Sequence, residues 1–272
     1  LIDDRPDFVL VYGDTNSTLA GSLAASKLGL PIIHVEAGLR SFNKSMPEEI
    51  NRVLTDHISD ILFTPTQVAI DNLLNEGISQ DKIFNVGDIM FDATLHFIQI
   101  AEKHSNILNK LILESKKYLL CTIHRQENTD NTKKLKNIFD ALSASNKSII
   151  IPMHPRTKNI LDDNNFNLNH NIRIVDPVGY LDMLILEKNA SKIITDSGGV
   201  QKEAFFQRVP CITLRDETEW LELVDSGANQ LVGSNYNSIL KSINKTIQNI
   251  TNEQFYGDGS SANQITRILE GI

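Results

Sequence analysis

The sequence predicts an α/β protein of two Rossmann-like, doubly wound units, the first of them incomplete. Three observations predict it. Short, near-continuous apolar runs alternate with helix-like stretches, the pattern of parallel sheets covered on both faces. The alternation begins afresh near residue 118, so the elements fall into two sets. The second set contains Thr195-Asp196-Ser197-Gly198-Gly199-Val200-Gln201-Lys202-Glu203, a strand end, a small-residue turn and a helix start.

In the first set, residues 7–12 read as a buried strand leading to Gly13-Asp14-Thr15, and residues 17–28 as an Ala/Leu-rich helix. A strand at 31–35, a helix at 48–59 and a strand at 61–64 follow. The chain opens almost directly on a buried strand, so this set is expected to be the back half of a doubly wound unit that lacks its first strands. A helix at 91–104 leads to the second set, with strands at 118–123, 148–153, 172–175, 192–195, 211–214 and 230–232. Helices at 132–145 and 181–188 lie between them, and the polar tract 162–171 reads as a surface loop. The expected units are therefore 1–92 and 93–259, with a terminal helix in 260–272.

Composition excludes several classes. The 272 residues are 41% hydrophobic, enough for cores of this size. Net charge is −8 with both signs interspersed, so no basic stripe exists for nucleic acid. No apolar run approaches the roughly 20 residues of a membrane span. The two cysteines, Cys121 and Cys211, sit in apolar strands without metal-ligand spacing and suit a reducing cytoplasm. The sequence has no HExxH, no Cys/His ligand pair and no acidic cluster of magnesium type, so neither metal nor cofactor is expected.

The turn at Ser197-Gly198-Gly199 suits an anion. Free amides and the positive helix end point at it, and the glycines allow close approach. Glu203, one helical turn beyond Gly199, can meet a ribose hydroxyl from the same face. An ordinary serine-capped turn is the plainer alternative. In open parallel sheets, ligands bind beyond the carboxyl ends of the strands. Here those ends carry Asp14, His34 and Glu36, His124 and Arg125, His154 and Arg156, Asp196 and Ser197, and Arg215. Single cases are helix caps or structural histidines. Six loaded ends across two units point to a cleft with acids and bases on one side and a phosphate cradle on the other.

Five segments occur in one order: Tyr12-Gly13-Asp14-Thr15-Asn16-Ser17-Thr18, His34-Val35-Glu36-Ala37-Gly38-Leu39-Arg40, Met46-Pro47-Glu48-Glu49-Ile50-Asn51-Arg52, His124-Arg125-Gln126-Glu127-Asn128 and Thr195-Asp196-Ser197-Gly198-Gly199. Together they resemble the non-hydrolysing UDP-N-acetylglucosamine 2-epimerases. The resemblance implies a glycosyltransferase-B-like fold of two facing domains, a C-terminal helix returning to the first, a UDP-sugar substrate and a homodimer. It implies catalytic roles for Asp14, Glu36, Glu48 and His124. It implies UDP binding by Arg125, His154, Ser197, Gly198, Gly199, Glu203 and Arg215.

The sequence departs from the family in several places. The N-terminal Gly-Thr-Arg-Pro-Glu segment is absent, so this polypeptide alone is expected to be inactive. Ile123 precedes His124, and Gln126 takes the place of a second arginine. Val178 stands where many members have Gln, and Trp220 where the simplest have Arg. Met46–Arg52 and Glu217-Thr218-Glu219-Trp220 resemble the branch acting on UDP-2,3-diacetamido-2,3-dideoxyglucuronic acid. Trp220 is read either as a changed sugar lining or as a staple against the following helix. Arg40 and Arg52 suit local ion pairs that shape the Glu48 loop. A UDP-sugar glycosyltransferase, a hydrolysing epimerase, a metal-dependent hydrolase and a non-enzymatic module are the competing readings.

Overall fold

A computed structural model describes residues 1–3, 5–153, 155–164, 166, 168–245, 251 and 253–271. The chain divides into two compact units, Leu1–Ala93 with Glu253–Ile272, and Thr94–Asn252.

The first unit runs β1 (Val9–Tyr12), α1 (Asn16–Lys27), β2 (Ile32–Val35), α2 (Pro47–Ile58), β3 (Ile61–Thr64), α3 (Gln67–Asn75) and β4 (Ile83–Asn85), then enters α4 (Ile89–His104). Its four strands pair in sequence order, all parallel. Successive strand residues point to opposite faces, and both faces are covered. Ile33, Val35 and Phe63 pack with Ile265, Ile268 and Leu269, while Val11 and Ile32 meet Ala25, and Leu62 meets Ile70 and Leu73. The C-terminal helix (Ser261–Glu270) therefore belongs to this unit's core, and the Ala262 amide donates to Asp92 Oδ2 at 2.8 Å.

The second unit continues through α5 (Ile107–Lys110), β5 (Leu119–Thr122), α6 (Gln126–Thr129), α7 (Thr132–Ala144), β6 (Ile149–Pro152), α8 (Pro155–Asp163) and β7 (Ile172–Val175). It completes with α9 (Tyr180–Asn189), β8 (Lys192–Thr195), α10 (Gly198–Phe206), β9 (Cys211–Thr213), α11 (Leu221–Asp225), β10 (Asn229–Leu231) and α12 (Tyr236–Asn244); the terminal helix of the first unit is α13. The six parallel strands lie in the order β7-β6-β5-β8-β9-β10, which is the doubly wound order. Leu119, Ile149, Ile151 and Ile194 meet α7 and α12 on one face; Leu120, Ile150 and Ile193 meet α9 on the other.

The α/β class of two Rossmann-like sets is thus present, with most element ends within two residues of expectation. The structure adds α3, β4, α8 and α12. The expected loop at 162–171 begins instead inside α8, which runs to Asp163. Among the described residues no helix is long and apolar enough to cross a membrane.

Candidate active site

Each unit gathers functional side chains at the carboxyl ends of its strands. In the first, β1 runs into the turn of Gly13, whose φ is +63° and whose amide donates to the Val35 carbonyl at 3.0 Å. A Cβ at Gly13 would lie 3.2 Å from Glu36 Oε2, so the Glu36 carboxylate sits over the turn that carries Asp14. Glu36 itself has φ +74°, a left-handed conformation that costs a side-chain-bearing residue about 1–2 kcal/mol. The amides of Glu36 and Ala37 both donate to the Phe63 carbonyl, at 3.1 and 3.0 Å, and hold it there. Backbone strain of this kind concentrates at working sites.

Asp14 is half-buried, and its Oδ2 lies 2.5 Å from Arg52 Nη2. Asn51 Nδ2 donates to the Asp14 carbonyl at 2.9 Å. These two residues tie α2 to the Asp14 turn. Pro47 starts α2 without needing an amide donor, and Glu48 and Glu49 face the positive helix end from the first turn. Glu49 is buried and accepts from Ser41 N at 2.8 Å, Phe42 N at 2.9 Å and Arg52 Nη1 at 3.2 Å. It shapes the loop, while the half-buried Glu48 beside it stays on the more open part of the turn.

Beneath this set lies a buried ionic chain. His34 Nδ1 is 2.7 Å from Asp56 Oδ1 and Nε2 is 2.8 Å from the Gly13 carbonyl. Asp56 also accepts from Gly38 N at 3.1 Å and Arg40 Nη1 at 2.7 Å, and Arg40 pairs in two-point fashion with Glu76 at 2.7 and 2.6 Å. His34 is therefore a structural histidine rather than a ligand or catalyst. Among the described residues no group of three or more His, Cys, Asp or Glu is arranged to hold a metal ion.

In the second unit, β5 and β8 are neighbours at the point where the strand order reverses, and Thr122 and Thr195 end them with hydroxyls 2.6 Å apart. Asp196 is fully buried and accepts from His124 N at 3.1 Å, Arg125 N at 3.1 Å and Asn128 Nδ2 at 3.1 Å. It is committed to shaping the loop after β5. Its Oδ1 also lies 3.3 Å from Nδ1 of His124, whose side chain is 56% exposed. Arg125 follows, half-buried.

Ser197 caps α10, its Oγ accepting from Val200 N at 3.4 Å. Gly198 and Gly199 then form the first turn with their amides toward the helix's positive end. A Cβ at Gly198 would fall 2.5 Å from Glu219 Oε1, so any larger residue there requires the Glu219 side chain to move. Glu219 is nearly buried and meets Arg215 Nη1 at 2.9 Å. Direct contact between Arg215 and a bound nucleotide requires that guanidinium to be released from Glu219 or shared with it. Glu203 is buried in α10, and burial pushes its carboxyl above the usual carboxylate range. Trp220 is only 3% exposed, with Lys202 Nζ stacked 4.3 Å from its ring centre. It lies against α10, the helix before it in the chain, whereas the staple reading put it against the helix that follows. His154 lies outside the described residues.

These two constellations appear in a chain whose residues 1–270 match the family profile described as UDP-N-acetylglucosamine 2-epimerase. The chain belongs to the UDP-N-acetylglucosamine 2-epimerase family. It is 53% identical to a UDP-N-acetylglucosamine 2-epimerase homolog of Methanococcus maripaludis, over 100% of this chain and 78% of that protein. It is 49% identical to the UDP-2,3-diacetamido-2,3-dideoxy-D-glucuronate 2-epimerase of Pseudomonas aeruginosa, over 99% of this chain and 76% of that one. The crystal structure of Methanocaldococcus jannaschii UDP-GlcNAc 2-epimerase, in complex with UDP-GlcNAc and UDP, superposes with a TM-score of 0.91 at 49% identity. That match covers 100% of this chain and 78% of the crystal chain.

Within this epimerase family frame, several residues carry the sites without having been singled out from sequence. Asn51, Asp56 and Glu49 hold the Asp14 turn, His34 and the Ser41–Phe42 loop in place. Glu49 and Asn51 had a signal in the Met46–Arg52 segment, whereas Asp56 shows only as a polar residue at a buried position of α2.

Proposed function

We propose that the chain is a non-hydrolysing UDP-N-acetylglucosamine 2-epimerase. The observation that carries the reading is that one chain holds both a strained carboxylate turn in its first unit (Asp14, Glu36, and Glu48 on α2) and a glycine turn at the strand-order reversal of its second. The first suits proton transfer at carbon and the second suits a pyrophosphate. Family membership supplies the substrate class.

The C2 proton of the sugar is barely acidic, so its removal must accompany departure of the anomeric group. A carboxylate takes that proton, the C1–O bond breaks, and its electron pair leaves on the UDP β-phosphate oxygen. A C1=C2 double bond forms, leaving a 2-acetamidoglucal. A proton then reaches C2 from the opposite face while UDP adds back to C1. Asp14, Glu36 and Glu48 serve as the acid and base groups. His124, exposed beside the loop that Asp196 shapes, is assigned to steady the leaving pyrophosphate or pass a proton. Arg125, His154, Ser197, Gly198, Gly199 and Arg215 bind the pyrophosphate end, and Glu203 the ribose.

A second reading rests on one observation. The identity to the diacetamido-glucuronate enzyme, 49%, is close to the 53% found for the nearer homolog, so similarity alone does not separate their sugars. Incubation of the chain joined to a family member's N-terminal segment, in D₂O with either UDP-sugar and followed by proton NMR at C2, tests both. Deuterium at C2 with formation of the manno epimer from UDP-N-acetylglucosamine supports the first reading. Exchange only with the diacetamido-uronic sugar supports the second, and silence with both would sink the assignment.

The setting this reading implies is a cytoplasmic homodimer supplying activated sugar for surface polysaccharide. Two buried free thiols suit a reducing compartment. An apolar groove of about 560 Å³ on α2, bordered by the exposed Phe42, Ile50 and Leu54, offers a face for a second copy. Sedimentation velocity decides the oligomeric state.

A further inference from the structure

At the amino-terminal ends of the second unit's strands, opposite the glycine turn, positive charge gathers around one cavity. The cavity is about 430 Å³ and is lined by Lys116, Lys117, Lys147, Lys192 and Lys245. Lys116 and Lys117 precede β5, Lys147 precedes β6, Lys192 begins β8, and Lys245 follows α12.

Two of these lysines are fixed in place. Lys192 is only 9% exposed, and its Nζ donates to the carbonyls of Ser242, Ile243 and Lys245 at 2.8, 2.7 and 2.6 Å. Three acceptors need three N–H groups, which only the ammonium form has. Lys116 Nζ donates to the Lys188 and Ala190 carbonyls at 2.6 and 2.9 Å. Each thus caps the carboxyl end of a helix, α12 or α9, an ordinary structural use of lysine. That use leaves most of the charge unmatched. The two helix ends supply about one negative charge between them, against the five lysines.

No counter-charge makes up the difference. Lys117, Lys147 and Lys245 make no side-chain hydrogen bond or ion pair among the described residues, and no carboxylate lines the cavity. Elsewhere lysines do find carboxylates: Lys136 meets Asp140 at 2.8 Å and Lys134 meets Asp216 at 3.8 Å. Burial, together with the charges of Lys147 and Lys245, holds Lys192 below the usual ammonium range, so the like charges repel. The excess is also local. The whole chain has 26 Lys and Arg against 34 Asp and Glu, so an extended polyanion would meet repulsion beyond the cavity. A small anion would meet only the lysines.

We propose that this cavity is an anion site for a small multivalent phosphate of the pyrophosphate class, held by Lys117, Lys147 and Lys245 beside the fixed charges of Lys116 and Lys192. Its volume falls in the range of small-molecule pockets. It is distinct from the glycine turn, because the two lie at opposite ends of the same strands.

Calorimetric titration of the full chain with inorganic pyrophosphate at low salt tests the site. Lys147→Gln/Lys245→Gln should weaken binding at least about tenfold, the worth of two partly screened charges beside a multivalent anion. Lys133→Gln/Lys136→Gln removes the same charge from α7 and should leave binding within about twofold. Lys147→Arg/Lys245→Arg should retain it. Gly198→Ala, which alters the glycine turn, should leave the lysine-dependent binding in place. Without anion, Lys147→Gln/Lys245→Gln should melt no lower than the native protein, because repulsion is relieved. Pyrophosphate should raise the native midpoint more than the variant's. Equal weakening by both double Lys→Gln variants, or no binding to the native protein, overturns the proposal. Binding lost in Gly198→Ala but kept in Lys147→Gln/Lys245→Gln places the anion at the glycine turn and overturns it as well. Lysine-dependent binding of phosphatidylserine vesicles or single-stranded DNA, without pyrophosphate binding, replaces the small-anion site with a macromolecular interface.

Discussion

His34 and Asp56 form a fully buried pair, Nδ1 to Oδ1 at 2.7 Å, while the second ring nitrogen faces the Gly13 carbonyl at 2.8 Å. A carboxylate and a carbonyl can only accept, so both ring nitrogens must donate and the ring is an imidazolium. Burial works against that charge, yet the hydrogen bond and charge of Asp56 outweigh it and raise the His34 pKa. Asp56 is lowered in turn: its burial is outweighed by His34 and Arg40.

The pair therefore makes stability depend on pH in both directions. The His34 contribution is complete below the ordinary imidazole range and disappears as pH rises through its raised folded value. The Asp56 contribution is complete above the ordinary carboxylate range and disappears as pH falls through its lowered folded value. Thermal melts across pH should show both limbs, and His34→Asn should remove the alkaline one. Equal alkaline limbs in the two proteins would refute the imidazolium. Asp56→Asn should cost about 3–5 kcal/mol, because it leaves buried cations unpaired.

In the chain joined to a family member's N-terminal segment, Asp14→Asn, Glu36→Gln and Glu48→Gln should each lower turnover at least a hundredfold, the lower range for acid–base groups, with UDP affinity within a few-fold of the unsubstituted protein. Epimerisation followed by NMR and calorimetry with UDP measures the two effects separately. Near-native rates for all three would remove the carboxylate assignment.

Gly198→Ala places a methyl 2.5 Å from Glu219 Oε1 and should destabilise the cradle by about 1–3 kcal/mol, with weaker UDP binding. Glu219→Ala opens that space, so the double variant should recover part of the fold stability. Additive losses in the two variants would show that the clash is not the cause.

Trp220, the single tryptophan, has its indole nitrogen 3.5 Å from that same Cβ position. UDP binding at α10 should change its fluorescence, and Gly198→Ala should blunt the change. A flat titration in a protein that binds UDP by calorimetry would place the nucleotide elsewhere.

Cys121 and Cys211 are both free and fully buried. Burial pushes the Cys211 thiol up to about 12 and the Cys121 thiol higher still. Neither should react with a thiol reagent in the native protein, and both should react once urea unfolds it. A fast-reacting native thiol would contradict the core described for β5 and β9.

Much of the fold was legible along the chain, because a strand buried on both faces must be a continuous apolar run. Lys192–Thr195 and Ile61–Thr64 begin and end where the sequence alone put them. The three-residue β4 and the nine-residue α3 escaped notice, since neither is long enough to display its period. Trp220 was ambiguous for a different reason: a tryptophan beside a motif reads equally as lining or as packing, and only its burial under Lys202 separates them.

The sequence by itself determined the two sets of parallel strands, the glycine turn after β8 and the ionisable residues at the strand ends, because these are local patterns set by backbone sterics and side-chain periodicity. The tertiary structure alone decided what each ionisable group does. Asp196 serves the β5 loop, Asp56 charges His34, and Glu187 accepts from Gln207, because protonation and hydrogen bonding depend on which groups are buried together and not on their spacing along the chain.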